Sequence, residues 1–248
     1  MVKKIQENQV GIFTLSWDRK EYTQRCVYAL EKNAGWPYFH LIIDQGSKDG
    51  SAEWLDKNYR KENTEVILLR ENIGLPRGIN LAHEILIGGG FEWICKLDND
   101  CEILTPDTLK KLMEAILESK TDLVLSPYVK GLVANKGGVP RGVPSRYPHR
   151  WEKYDISYAS GVGGIFRLCH KRVLQKYTWD ENKPMHYAED LDFTGRWKEN
   201  GFMNGYMENV YCLHMDGTLG QQEKYKDYFK NHAGKLDPSK FPNYKPDF

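Results

Sequence analysis

The stretch VGIFTLSWDRKEYTQRCVYALEKN, residues 10–33, joins an apolar run of strand length to a segment whose Tyr22, Cys26 and Leu30 recur every fourth residue. The first part, Val10 to Ser16, reads as a buried strand and the second, from about Lys20 to Lys32, as a helix packed through one face. A strand passing directly into a helix is the unit from which parallel sheets are wound. AGWPY then breaks the helix, and the unit recurs: FHLIID (39–44) before SAEWLDKNY (51–59), and EVILLR (65–70) before RGINLAHEIL (77–86), which ends at three glycines, Gly88 to Gly90. FEWICKLD (91–98) is a fourth strand, and DLVLSPYV (122–129) a fifth. Between them Thr105 is expected to cap the helix LKKLMEAILESK, with Pro106 in its first turn. Residues 10–129 therefore predict an α/β domain around a parallel sheet.

With 248 residues the chain is long enough to bury a core without covalent staples. Its five cysteines, Cys26, Cys95, Cys101, Cys169 and Cys212, are odd in number and form no C-x-x-C pair. That speaks against a zinc ribbon or a secreted disulfide framework and for reduced thiols in a cytoplasmic protein. The net charge of +1 gives no global field toward nucleic acid or an acidic membrane. MVKKIQENQV carries no apolar stretch of signal-peptide length, and nowhere do eighteen apolar residues run together, so the expectation is a soluble chain, at most peripheral at a membrane.

After residue 129 the character changes. The segment from Lys130 to Tyr154 is rich in glycine, proline and base, holds Glu152 as its single acid, and reads as a long loop. SYASGVGGIFRL (157–168) then reads as a strand or hairpin, HKRVLQKY (170–177) and AEDLDFTGRWKENG (188–201) as helices, and NVYCLHM (209–215) as a last short strand. The tail from Gly220 shows no clear period. The reading is one domain in two parts. Residues 1–129 form a nucleotide-binding half and 130–219 a half that decorates it, including the basic loop 130–153; residues 220–248 are the tail.

Ligands of open parallel sheets bind at the carboxyl ends of the strands, and the polar residues of this chain gather there. The first strand ends in Thr14, Ser16, Trp17, Asp18 and Arg19, the second in Asp44, Gln45, Gly46 and Ser47, the third in Asn72, Gly74 and Arg77, and the fourth in Asp98, Asn99 and Asp100. Each group alone is ordinary turn chemistry, and DQGSKDGS is an Asx turn and helix cap in its own right. Asp98 and Asp100 would repel unless a turn or a cation used them; together they could hold a hard divalent ion against a diphosphate. Glu189, Asp190 and Asp192 open a helix, where the dipole favours carboxylates, although Asp190 could also take a proton from a hydroxyl. His214, after a short apolar strand, is either structural or the imidazole that completes an aspartate metal site.

In this order the elements resemble a family 2 glycosyltransferase of the GT-A fold, over about Val10 to Gly217. LIIDQGSKDGS is similar to the family's V-D-(D/N)-G-S-x-D-G-(S/T) element, ENIGLPRGIN to its N-x-G-x-x-x-x-x-N element and KLDNDCEI to its D-x-D motif. GVGGIFRL and YAEDLDFTGRW resemble its acceptor-side strand and its E-D-x-D helix. The resemblance implies a Rossmann-like, mostly parallel central sheet flanked by helices, with a smaller acceptor-side subregion. It implies that Thr14, Arg19, Asp44 and Gln45 meet the nucleoside side of a nucleotide-sugar donor, and that Asn72, Gly74 and Arg77 lie along the nucleotide. Asp98 would touch ribose or metal, Asp100 would bind Mn²⁺ or Mg²⁺ with His214 as a late ligand, and Asp190, supported by Glu189, would be the general base. Gln45 departs from the acid or Asn of many members; UDP is the donor nucleotide implied. The implied reaction is metal-assisted sugar transfer with inversion to a glycan hydroxyl or to a polyanion such as nucleic acid, which Lys130, Lys136, Arg141, Arg146, Arg150 and Lys153 would grip. A sugar-phosphate nucleotidyltransferase would also use aspartates on metal but shows a glycine-rich phosphate loop that VGIFTLSWDRKE lacks. A non-catalytic sugar-binding module would have lost the acids that stand here at 98, 100 and 190.

Overall fold

Val10 to Ser16 form β1, buried along nearly its whole length. It lies between two parallel neighbours, β2 (Tyr38–Asp44) and β4 (Trp93–Leu97), and β3 (Thr64–Leu68) extends the sheet beyond β2. β1 and β4, buried at nearly every position, read as apolar runs because both their faces are covered, whereas β3, at the sheet edge, alternates between buried and exposed residues. Helices α1 (Lys20–Asn33), α2 (Ser51–Asn58) and α3 (Leu75–Gly88) make the crossovers. In the computed structural model the described residues are 5–119, 121–131, 150–159, 161–182, 193 and 195–215.

Beyond β4 the sheet departs from the simple rhythm. The segment 122–129 is a strand, β6 (Leu123–Lys130), yet it does not lie beside β4. Between them runs β9 (Phe166–His170), antiparallel to both. The expected strand or hairpin at 157–168 is thus two separate strands: β8 (Ile156–Ala159) sits further out, paired with β10 (Met203–His214) and with β7 (Arg150–Trp151). The sheet order is β3-β2-β1-β4-β9-β6-β10-β8-β7, with β5 (Cys101–Ile103) attached to β10. β10 begins earlier than the expected 209–215, at Met203, and Gly205 sits inside it. A Cβ there would come within 2.8 Å of Ile156, so glycine lets β8 approach.

The helix α4 (Thr108–Glu118) begins later than Thr105. Asp107, in the left-handed region at φ 57°, precedes it and makes no side-chain cap. Its first-turn amides are satisfied from outside: Leu109 and Lys110 donate to the Ala34 carbonyl at 2.9 and 3.3 Å. Thr105 instead accepts from the Tyr211 amide at 2.8 Å and so ties the loop to β10. The expected helix at 170–177 shrinks to one turn, α5 (Lys171–Leu174), and α6 spans Trp197–Asn200. No helix among the described residues is long and apolar enough to cross a membrane.

The core is continuous through both halves of the sheet, and all five cysteines lie in it as free thiols. Burial pushes the thiols of Cys26, Cys95, Cys101 and Cys169 up, the last to about 12, so none of these four is a thiolate at neutral pH. His40 is buried between the Tyr59 hydroxyl at 3.1 Å and the Thr14 hydroxyl at 2.9 Å, and burial lowers its pKa to about 3. The folded protein holds the ring neutral while the unfolded chain protonates it below about pH 6.5. The unfolded state then binds more protons, so stability present above that pH is lost as the pH falls toward 3. Denaturant titrations at pH 7.5 and pH 5 should therefore differ by about 2 kcal/mol from this group, and His40→Gln should remove most of that difference.

Candidate active site

β1 and β2 end in register, Ser16 opposite Asp44, so their following loops meet at one edge and lock together. The Gln45 amide donates to the Ser16 carbonyl at 2.8 Å, the Asp18 amide to the Ser47 hydroxyl at 2.8 Å, and the Lys48 amide to the Asp18 carboxylate at 2.8 Å. The Lys20 amide closes the set on Asp49 at 2.7 Å. Asp18 and Arg19 both take left-handed backbone, φ 53° and 56°, which turns the chain sharply into α1. Gly46, at φ 75°, lies so close to the Glu71 backbone that a Cβ would come within 2.8 Å of it.

Two of the expected nucleoside contacts face inward. Asp44 is fully buried and accepts from the Ser47 amide at 2.9 Å and hydroxyl at 2.6 Å. Burial pushes its carboxyl up while the Ser47 bonds oppose the shift. It builds the turn, as the Asx reading of DQGSKDGS has it. Thr14 is also fully buried, donating to the Leu97 carbonyl at 2.7 Å. Gln45 differs: the residue is 5% exposed, yet its Oε1 has no hydrogen-bond partner among the described residues. A buried amide oxygen left in that state costs free energy unless a ligand meets it.

Asp98, Asn99 and Asp100 form a turn at the end of β4, and each side chain has a different task. Asp98 pairs with the Lys96 ammonium. Asn99 is interior, accepting from Arg19 Nη2 at 3.0 Å and donating to the Thr23 hydroxyl at 3.2 Å, so it fastens the turn to α1. Asp100 meets Arg19 Nη1 at 3.3 Å and His214 Nε2 at 3.3 Å. The approach of His214 follows from β5 lying antiparallel to the end of β10, with His214 opposite Cys101 and the Met215 amide bonded to the Asp100 carbonyl at 2.9 Å. Residues far apart in sequence, Arg19, Asp100 and His214, are thus brought together.

Asp100 and His214 offer a carboxylate oxygen and an imidazole nitrogen, donors that suit Mn²⁺ or Mg²⁺. Two adjacent ligands of an octahedral ion with bonds of about 2.1 Å lie about 3 Å apart, close to their separation here, so the pair fits a divalent ion. No cluster of three or more such side chains forms among the described residues, and the rest of the shell would come from ligand oxygens and water.

On the far side, the Asn72 carboxamide accepts from the Gly74 amide at 2.8 Å, and Gly74, at φ 89°, leads into α3. Arg77 is half-exposed and reaches Glu181 at 3.6 Å. Asn80, which closes the N-x-G-x-x-x-x-x-N element, holds the backbone of Trp179 from both sides, donating to its carbonyl at 2.9 Å and accepting from its amide at 3.1 Å. Trp179 itself is buried against Phe193 and His83. Glu189, Asp190 and Asp192 lie outside the described residues.

With this geometry in place, comparison with known proteins gives a consistent class. The chain belongs to glycosyl transferase family 2, whose sequence profile matches residues 12–177. Among solved structures it is similar to TarS of S. aureus (residues 1–349), with a TM-score of 0.62 and 18% identity over 92% of this chain and 65% of that one. It is also similar to GalNAc-T7 with UDP, GalNAc and Mn²⁺, with a TM-score of 0.64 and 14% identity over 83% and 43%. A mannosyltransferase from Pyrobaculum calidifontis with GDP-Man and Mn²⁺ gives 0.63 and 12% over 96% and 65%. At these identities the likeness shows the fold, which is GT-A, and the chain spans 65% of the TarS fragment it resembles. No curated protein sequence matches it significantly.

Asn80→Ala leaves both backbone groups of Trp179 without their partner. It should lower stability by about 1–3 kcal/mol, read from the midpoint of a urea titration; an unchanged midpoint would show that the clamp carries no load.

Proposed function

We propose that this chain transfers a sugar from a nucleoside diphosphate sugar, with UDP as the nucleotide, to a glycan hydroxyl with inversion at the anomeric carbon. The observation that carries this reading is the meeting of Asp100, His214 and Arg19 at the strand ends. It is supported by the ligands of the similar structures, UDP-GlcNAc with TarS and UDP with Mn²⁺ in GalNAc-T7. Residues 1–129 form the donor half in this reading and 130–219 the acceptor half.

Asp100 and His214 would hold a divalent ion, Mn²⁺ or Mg²⁺, which when bound offsets the charge gathering on the departing diphosphate. Arg19 already stands at Asp100 and carries a fixed guanidinium able to take diphosphate oxygens. Asn72, Gly74 and Arg77 line the approach from α3. Gln45 presents an acceptor and a donor side by side, which matches the N3–H and O4 of uracil. Asp98, with a side chain 30% exposed, accepts from a donor hydroxyl. Asp190, supported by Glu189, removes the acceptor proton as the acceptor oxygen bonds to the anomeric carbon and the bond from that carbon to the diphosphate oxygen breaks.

A glycan acceptor is favoured over a polyanion by the described cations of 130–153. Arg150 pairs with Asp155 and Glu208, Lys153 pairs with Glu118, and Lys130 lies 4.2 Å over the Tyr211 ring. Acceptor binding insensitive to salt is the expected result; a steep loss of affinity with salt would favour a polyanion held by Lys136, Arg141 and Arg146.

Two measurements address donor and base separately. Gln45→Leu should raise the stability of the ligand-free protein by about 1 kcal/mol, because it removes a buried unpaired oxygen, while weakening UDP binding about tenfold; a variant that binds UDP as the wild type does would remove Gln45 from the base site. Incubation with UDP-sugars and Mn²⁺ should release UDP, and Asp190→Asn should suppress that release by more than about a hundredfold with UDP affinity retained. Pyrophosphate release from UTP and sugar phosphate would identify a nucleotidyltransferase, and no turnover with any donor a binding module.

A further inference from the structure

Lys96 is a charged residue inside a strand whose five residues are all buried. Its side chain is 4% exposed, and an ammonium so placed must be met by acceptors. Among its partners are the Asp98 carboxylate, two residues on, and the Gly164 carbonyl at 2.6 Å. The next carbonyl, Ile165, accepts from the Asp98 amide at 2.9 Å, and the Gly163 amide donates to the Tyr206 hydroxyl at 2.9 Å. The loop at 161–165, which leads into β9, is thus held at three successive residues, two of them through Lys96 and Asp98.

We infer that Lys96 is a positioning residue that sets the division of labour in the D-x-D turn and fixes the 161–165 loop to it. The ammonium offsets the charge of Asp98, so Asp98 meets the donor as a hydrogen-bond acceptor and the divalent ion is left to Asp100 and His214. Because the same ammonium holds Gly164, the carboxylate that orients the donor and the loop that enters the acceptor half share one frame. This rests on the donor-site reading above and extends it to a residue outside the motif.

The test uses Mn²⁺ alone, followed by the electron paramagnetic resonance of the free ion, and UDP by calorimetry, on the full chain. Lys96→Met should bind Mn²⁺ about tenfold more tightly, because a positive charge is removed beside the site, and UDP about tenfold more weakly, because Asp98 loses its fixed orientation. Asp98→Asn, which keeps the lysine and should fold whether or not Lys96→Met does, should lose UDP affinity and weaken Mn²⁺ binding by no more than about tenfold, the effect of one nearby charge, whereas Asp100→Ala should abolish Mn²⁺ binding. Asp98→Asn that loses Mn²⁺ as fully as Asp100→Ala, or a folded Lys96→Met that matches the wild type for both probes, overturns the role of Lys96 and leaves the donor site standing. A wild-type protein that binds neither Mn²⁺ nor UDP overturns the donor site and this inference with it.

Discussion

Two carboxylates one residue apart at the end of a buried strand repel each other, and this protein relieves that repulsion by giving each a different cation. Asp98 is met by Lys96 from within the strand, and Asp100 by Arg19 from the turn after β1 and by His214 from the end of β10. Much of the architecture at this edge follows from those pairings. Arg19 reaches Asp100 only because the chain turns left-handed at Asp18 and Arg19, and that turn is held by the interlocked loops after β1 and β2. His214 reaches it only because β10 runs the full width of the second half of the sheet and ends against β5.

The second half of the sheet is therefore not an ornament on a nucleotide-binding half. β9 is wedged between β4 and β6, so the loop before it lies against the D-x-D turn. β10 joins β6, β8 and β5 in one strand. On the other flank, Asn80 of α3 fastens the backbone at Trp179, just before the segment that carries Glu189 and Asp190. The two parts of the sheet are tied by short hydrogen bonds at both flanks, and in the proposed reading this is the structural condition for holding donor and acceptor in a fixed relation.

Strand–helix units were legible in the sequence where burial on both faces made the apolar runs continuous, as at β1 and β4. The partners of a strand were not, because pairing is a long-range choice that local pattern does not encode: nothing in FRLCH says that it enters between β4 and β6. Thr105 had the chemistry of a cap, but its hydroxyl was taken by Tyr211, while the Ala34 carbonyl capped the helix. Within the site, KLDNDCEI and LHMDG are each visible as motifs, but the approach of His214 to Asp100 depends on β5 pairing with the end of β10, which local pattern does not encode, and nothing in the sequence tells that Asp44 and Thr14 are buried. The lysine within WICKL is itself a signal, since an ammonium in an otherwise apolar strand demands a buried partner. The partnerless oxygen of Gln45 has no sequence signature at all.

In the proposed reading Asp100 and His214 hold a divalent ion against the diphosphate of a nucleotide donor. Anomalous diffraction at the manganese edge, from crystals grown with UDP and Mn²⁺, examines that arrangement. The expected result is one peak within bonding distance of an Asp100 carboxylate oxygen and His214 Nε2 and of diphosphate oxygens, with Arg19 drawn from Asp100 toward the diphosphate. Bound UDP with Arg19 still seated on Asp100 and no peak beside it, or a peak on Asp98 instead, would contradict it.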